Sequence, residues 1–180
     1  MEFNEYGLEL IKSFERLRLT SYDDGFGYLT VGYGHLSDKF FEVKINQQIT
    51  EQKANEILWH DIYQDAIPIV NNQLLYENLL NDNQYSALVS IVFNSGSFKY
   101  RDNHGEIVQT QLLTALNKKE FDRASMIIKF YKITSNGKQS LGLRRRRLCE
   151  HWLYTSYKTT EMPPKDWVKW ARIESEKLVV

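Results

Sequence analysis

At 180 residues, with 42% hydrophobic and 26% charged side chains, the chain is long enough to bury a core and too polar to be a bundle of membrane-spanning helices. Its 23 basic residues balance 23 acidic ones, so it lacks the global field that draws a protein to nucleic acid or to a membrane surface. The expectation is a soluble globular monomer in one domain, with no nucleic-acid partner and no stable membrane insertion.

The first stretch, MEFNEYGLELIKSFE, carries acids and no uninterrupted apolar run, so no secretory signal peptide is expected. A protein of this kind is expected to be made in a cytoplasm and to reach any outside target by another route. Phe3, Tyr6, Leu10 and Phe14 recur at helical spacing and predict a first helix ending near Phe14. LRLTSY then alternates, DDGFG is a turn, and YLTVGYG is β-branched and aromatic with glycines at its end. Two antiparallel strands joined by a tight turn fit this, with a third strand expected near 40–46. Thr50 reads as an N-cap followed by an acid, and Ile57, Leu58, Ile62 and Ala66 then share a helical face, with Pro68 expected to kink or end the helix. Further helices are expected at about 82–94, 107–117, 119–132, 139–157 and 164–178, broken at Asn136-Gly137 and Pro163-Pro164. The one cysteine, Cys149, cannot form an internal disulfide and has no CxxC partner, so it reads as a structural thiol. The predicted class is α+β: a small strand-bearing lobe of about 15–60, a helical lobe of about 61–157 with residues 1–14 packed on it, and a cleft between them.

The segment from Glu15 to Thr30 carries the candidate chemistry. Glu15 stands at a helix-to-strand junction, Asp24 follows nine residues later in a turn, and Thr30 six residues after that on a strand. Hairpin geometry brings turn acid and strand hydroxyl toward one cleft mouth, and the helix end supplies the other carboxyl. Glycoside hydrolysis needs two carboxyls in different environments, one to protonate the leaving oxygen and one to orient a water or stabilise the cationic sugar. Asp23 and Asp24 are adjacent, and spacing alone does not choose between them. The four arginines at 144–147 cannot form one basic stripe, because consecutive helical residues point around most of the circumference. One or two are expected to turn inward to acids near Glu15, without the sequence saying which.

YDDGFGYLTVGYGH at 22–35, together with Glu15, closely resembles the T-even phage type of lysozymes and endolysins, glycoside hydrolase family 24. ITEQKANEILWHDI at 49–62, SALVSIVFNSGS at 86–97 and LGLRRRRLCEHWL at 141–153 extend the likeness over about residues 5–155. The resemblance implies a lysozyme-like two-lobe fold, with a small N-terminal lobe holding a short antiparallel sheet, joined by a long helix to a mostly helical C-terminal lobe. It implies that Glu15, Asp24 and Thr30 are the catalytic set and Asp23 a spectator. It implies hydrolysis of the β-1,4 bond between N-acetylmuramic acid and N-acetylglucosamine in peptidoglycan glycan strands, with inversion, no cofactor and no metal. His35, read alone a structural histidine without a second ligand at a helical or hairpin offset, would pair with Asp61; Leu36 and Phe93 would line the sugar cleft. The biology implied is bacterial lysis by a protein held in the host cytoplasm until a holin opens the membrane. A secreted antibacterial effector and a catalytically silent wall-binding module are the alternatives. Two stretches exceed the family pattern: 98–109, expected as a longer loop near the cleft, and 158–180, where Trp167, Trp170, Ala171 and Glu174 predict an extra C-terminal helix.

Overall fold

The computed structural model describes residues 1–25, 27–135, 137–158 and 163–177. Parts of the expected C-terminal tail (159–162 and 178–180), Asn136 of the Asn-Gly break and Phe26 of the first turn lie outside the described residues.

Helix α1 (Glu5–Phe14) starts where the Asn4 side chain accepts the Gly7 N–H at 3.1 Å, one of the donors a helix start leaves without a partner. Its buried stripe of Gly7, Leu10 and Ile11 lies on α4 (Asp82–Ser95). Gly7 sits at the crossing: a Cβ there would meet the Phe3 ring and the Ser86 Cβ, each at 2.7 Å. The chain turns extended at Glu15 and enters a three-stranded antiparallel sheet in the order β1 (Arg18–Asp23), β2 (Leu29–Gly32), β3 (His35–Leu36). Gly32, at φ +66, passes beneath Ala54 of α2 (Glu51–Asp61), so the sheet packs on that helix.

Residues 40–46 do not form the expected third strand; β3 is the two-residue pair at His35–Leu36. Side chains take the backbone donors that a ladder would have used. Asp38 accepts the N–H groups of Phe40 and Phe41, and Ser37 accepts that of Val43. Short polar side chains compete with β pairing in this way, and 37–43 becomes a pinned loop.

Thr50 caps α2 as expected, accepting from the Lys53 N–H at 3.1 Å. Pro68 does not end the helix. A single wide π turn (Ile62–Ala66) intervenes, and α3 (Ile67–Gln73) begins with the proline in its first turn, where a missing N–H is tolerated. Helix α4, opened by a reciprocal Asn81–Gln84 capping box, is buried along most of its length and forms the axis of the core.

The helix expected from 107 starts only at Gln111 (α5, Gln111–Asn117), because Thr110 caps it and residues 107–109 pair as a strand. The stretch expected as a loop at 98–109 is a hairpin, β4 (Lys99–Arg101) and β5 (Ile107–Gln109), closed by Asp102 accepting from His104 and Glu106. Helix α6 (Phe121–Ile128) is shorter than the 119–132 expected, since Lys119 takes a left-handed φ of +61 before it and Lys132 one of +46 after it. A small hairpin, β6 (Thr134–Ser135) and β7 (Lys138–Gln139), precedes α7 (Leu141–Thr155), which packs on α4. The extra helix is present as α8 (Trp167–Lys177), laid on α7 with Trp167 and Ala171 buried. The Trp152 ring meets those of Trp167 and Trp170 edge-on at 5.6 and 6.4 Å. Cys149 is fully buried beneath this contact, its Sγ 3.4 Å from the Trp167 carbonyl, and burial pushes its thiol pKa well above the usual range, leaving a packed neutral thiol. Helices with small antiparallel sheets make the fold α+β, as expected.

Candidate active site

A cleft of about 430 Å³ runs between the sheet and the helices. Glu15 enters it from the end of α1, His35 and Leu36 from β3, Asp61 from the end of α2, and Phe93 and Asn94 from the end of α4. The structure therefore brings together Glu15, Leu36, Phe93, His35 and Asp61. It leaves Asp24 and Thr30 on the neighbouring hairpin, outside the cleft lining.

Glu15 is held from below. Arg146 Nη1 donates to its Oε1 at 2.5 Å, and the carboxyl side chain is 26% exposed while the arginine is nearly fully buried. Two of the four arginines thus turn inward, Arg146 and Arg147. Two buried guanidinium groups need compensation. Glu150, also fully buried, supplies it: it accepts from Arg146 Nε at 3.2 Å, from Arg147 Nη1, and from the Ser90 hydroxyl at 2.8 Å. Arg147 spends its remaining donors on the Tyr131 carbonyl and on Asn94 at the cleft. Glu150, Ser90 and Asn94 are absent from the sequence-based site. Glu150 was findable, since it stands three and four residues after Arg147 and Arg146, the spacing at which helical side chains meet. Ser90 and Asn94 come from another helix; both lie inside SALVSIVFNSGS, a stretch that carries the family likeness, but nothing local ties them to Arg146, Arg147 or Glu150.

On the hairpin, Asp23 Oδ1 accepts the Gly25 N–H at 2.7 Å and Asp24 Oδ1 accepts the Tyr28 N–H at 3.1 Å, so both acids brace the turn. Thr30 is buried and its hydroxyl donates to the Tyr28 carbonyl at 3.3 Å, leaving its oxygen as an acceptor. In the sheet Thr30 lies opposite Leu36, which reaches the cleft.

His35 is not short of ligand-type neighbours once the chain folds, contrary to its reading in sequence. Its Nδ1 lies 2.9 and 3.1 Å from the two Asp61 oxygens, and its Nε2 lies 3.1 Å from the Phe41 carbonyl and 3.6 Å from Asp38. Burial alone would lower its pKa. The hydrogen bonds to Asp61 and Phe41, with the charges of Asp61 and Asp38, outweigh burial and hold the pKa above its ordinary value.

The phage lysozyme family model matches residues 12–150 of this chain. The chain belongs to the phage lysozyme family. An endolysin of Acyrthosiphon pisum secondary endosymbiont phage 1 is 35% identical over 159 residues, spanning 87% of this chain and 99% of that protein. Among solved structures, the active form of the P1 phage endolysin superposes with a TM-score of 0.75 at 26% identity, covering 88% of each chain. The muramidase domain of SpmX from Asticaccaulis excentricus superposes at 0.68 with 29% identity, covering 85% of this chain and 97% of that one. The family match ends at 150, so α8 lies beyond it, while the β4–β5 hairpin lies inside it. That hairpin does not line the lysozyme cleft. Tyr100 and Gln109 face instead a separate, mostly apolar groove of about 620 Å³ shared with Met126 and Phe130 of the α6 region.

Proposed function

We propose that this phage lysozyme is an endolysin-type muramidase, hydrolysing the β-1,4 bond between N-acetylmuramic acid and N-acetylglucosamine of bacterial peptidoglycan and causing lysis once a holin has opened the membrane. The observation that carries the reading is Glu15: a carboxylic group lining the cleft of about 430 Å³, with one oxygen clamped by a buried guanidinium. In this reading the other oxygen protonates the glycosidic oxygen as the bond breaks. Asp24 and Thr30 act on the opposite side of the sugar, Asp24 as the base that orients a water and Thr30 as the hydroxyl that holds it. Leu36 and Phe93 give apolar surface to the sugar faces. Water attack from the far face yields inversion, which needs carboxyls roughly 6.5–9.5 Å apart rather than the about 5–5.5 Å of direct attack. The placement of Asp24 on a turn and Glu15 on a helix end supports the wider separation.

The test is clearing of permeabilised Gram-negative cells by the parent and by Glu15→Gln. The amide keeps the shape and cannot deliver the proton, so activity is expected to fall by about 10²–10⁴-fold. Activity within about threefold of the parent rejects Glu15 as the acid. Proton NMR of the first product from a defined muropeptide oligomer is expected to show the α-anomer; an initial β-anomer rejects the water-holding role of Asp24 and Thr30.

A further inference from the structure

We propose that Asn94 is a specificity-determining residue of the cleft, donating an amide N–H to the acetamido carbonyl of a glycan sugar. The inference rests on the muramidase reading and goes further, because it names the group of the glycan that this side chain selects.

The buried network fixes which way this amide points. Asn94 stands one residue before the end of α4 and lines the cleft with Glu15. Arg147 Nη2 donates to its side-chain oxygen. A guanidinium has donors and no acceptor, so the atom it meets must be the amide oxygen, and the NH₂ group takes the other place. Arg147 is fully buried and is held in turn by Glu150 and the Tyr131 carbonyl, so the amide cannot turn over without losing that bond. Glu150 also holds Arg146, which clamps Glu15. One network therefore keeps the Asn94 amide and the candidate acid in a fixed relation.

Among the described residues the Asn94 N–H groups have no protein acceptor, and the side chain is half-buried rather than sealed off. The other side-chain donors of the cleft lining are spent. Tyr33 Oη donates to Asn55 Oδ1 at 3.3 Å, and both His35 nitrogens face protein oxygens. Asp38, Asp61 and Asp65 are carboxyls, which accept. The cleft wall thus suits sugar hydroxyls, which can donate, at several places and a strong acceptor at one. Each sugar of a peptidoglycan strand carries an acetamido carbonyl, a stronger acceptor than its hydroxyl or ring oxygens. A site built to hydrogen-bond one group penalises the analogue that lacks it, because the donor is then left unpaired.

The experiment compares the full chain with its Asn94→Ala variant on soluble glycan strands that are intact, de-N-acetylated, or stripped of their stem peptides by an amidase. On intact strands the variant is expected to raise KM by about 3–10-fold, the loss of one neutral hydrogen bond. Its kcat is expected to stay within about twofold, because the contact is made before and during the reaction alike. The same rise in KM is expected on stripped strands and is expected to vanish on de-N-acetylated ones. Near-ultraviolet circular dichroism checks folding. Asn94→Asp, which keeps an acceptor for Arg147 and removes the donors, replaces the alanine variant if that fails, with the same expectations on intact and stripped strands. A rise in KM below about twofold on intact strands, a rise that persists on de-N-acetylated strands, or one that disappears on stripped strands overturns the assignment, the last by giving Asn94 to the stem peptide. A parent inactive on intact strands rejects the muramidase reading itself.

Discussion

Replacing Glu150 by Gln tests the buried network beneath the candidate acid. The carboxylate accepts three hydrogen bonds, from Ser90, Arg146 and Arg147, in a place with no solvent exposure. Hydrogen bonds to charged groups are worth about 1.5–3 kcal/mol each, but the amide keeps one acceptor oxygen and so retains part of this. Its NH₂ group then faces a guanidinium; Arg146 keeps Glu15 as an anionic partner, while Arg147 keeps only the neutral Tyr131 carbonyl and Asn94 as oxygen acceptors among the described residues. Breaking a buried ion pair from one side costs about 3–5 kcal/mol, and that is the loss expected here. For a domain of this size the midpoint of thermal unfolding is expected to drop by about 6–20 °C. Urea unfolding followed by circular dichroism gives the free energy and calorimetry the midpoint. A loss below about 1 kcal/mol with an unchanged urea slope would refute the argument, because it would mean that water or a shifted side chain replaces the carboxylate at no cost.

Asp24→Asn is expected to impair wall hydrolysis severely while Asp23→Asn is tolerated; the reverse order, in the same clearing assay, would shift the motif by one residue. His35→Asn is expected to cost about 1.5–3 kcal/mol at pH 5.5, and less at pH 8.5. The sign follows from the raised His35 pKa: its contribution is complete below the ordinary histidine value and fades as pH rises through the raised one. Asp38, whose pKa is lowered by the Phe41 and Phe40 N–H groups and by His35 and His60, adds a contribution that is lost as pH falls through that lowered value. Stability from this cluster therefore peaks in mildly acidic solution, and urea midpoints that show no pH dependence of the His35→Asn penalty would contradict the pairing. Trp167→Ala is expected to cost about 3–5 kcal/mol and to raise amide exchange across α8, whereas a loss under about 1 kcal/mol would mean that α8 is only loosely laid on α7.

Features written within a few residues of each other were legible in the sequence. The Asp-Gly turn between strands, the Thr50 cap and the helix ending at Phe14 each follow from local chemistry, and the structure has all three, although the buried face of α1 is Gly7, Leu10 and Ile11, with Tyr6 exposed, rather than the expected Phe3, Tyr6, Leu10 and Phe14. The 37–43 loop was misread because strand propensity in FFEV ignores the side chains of Ser37 and Asp38, which take the backbone donors first. Helix α5 was started too early because nothing local shows that 107–109 pairs with 99–101 across a polar turn. The identity of the inward arginines was illegible for a different reason: it depends on where α4 and the end of α1 lie against α7. Motif spacing singled out Glu15, but the Ser90–Glu150–Arg146–Glu15 chain that holds it joins residues separated by up to 131 positions.

The wide turn at Ile62–Ala66 resolves a mismatch of period. Leu58, Ile62, Ala66 and Val70 are all buried and spaced strictly by four. In a regular α-helix each residue advances about 100°, so a step of four overshoots a full revolution by about 40°, and three such steps would swing Val70 about 120° away from Leu58. The π turn, in which the Ile67 N–H reaches back to Ile62, takes more residues per revolution and winds the line back. It acts as a vernier, keeping a stripe of period four in phase with a screw of period 3.6. Deleting one exposed residue there, such as Gln64, would bring Ile62 and Ala66 to a spacing of three, and a regular α-helix would then hold the stripe in phase without the wide turn.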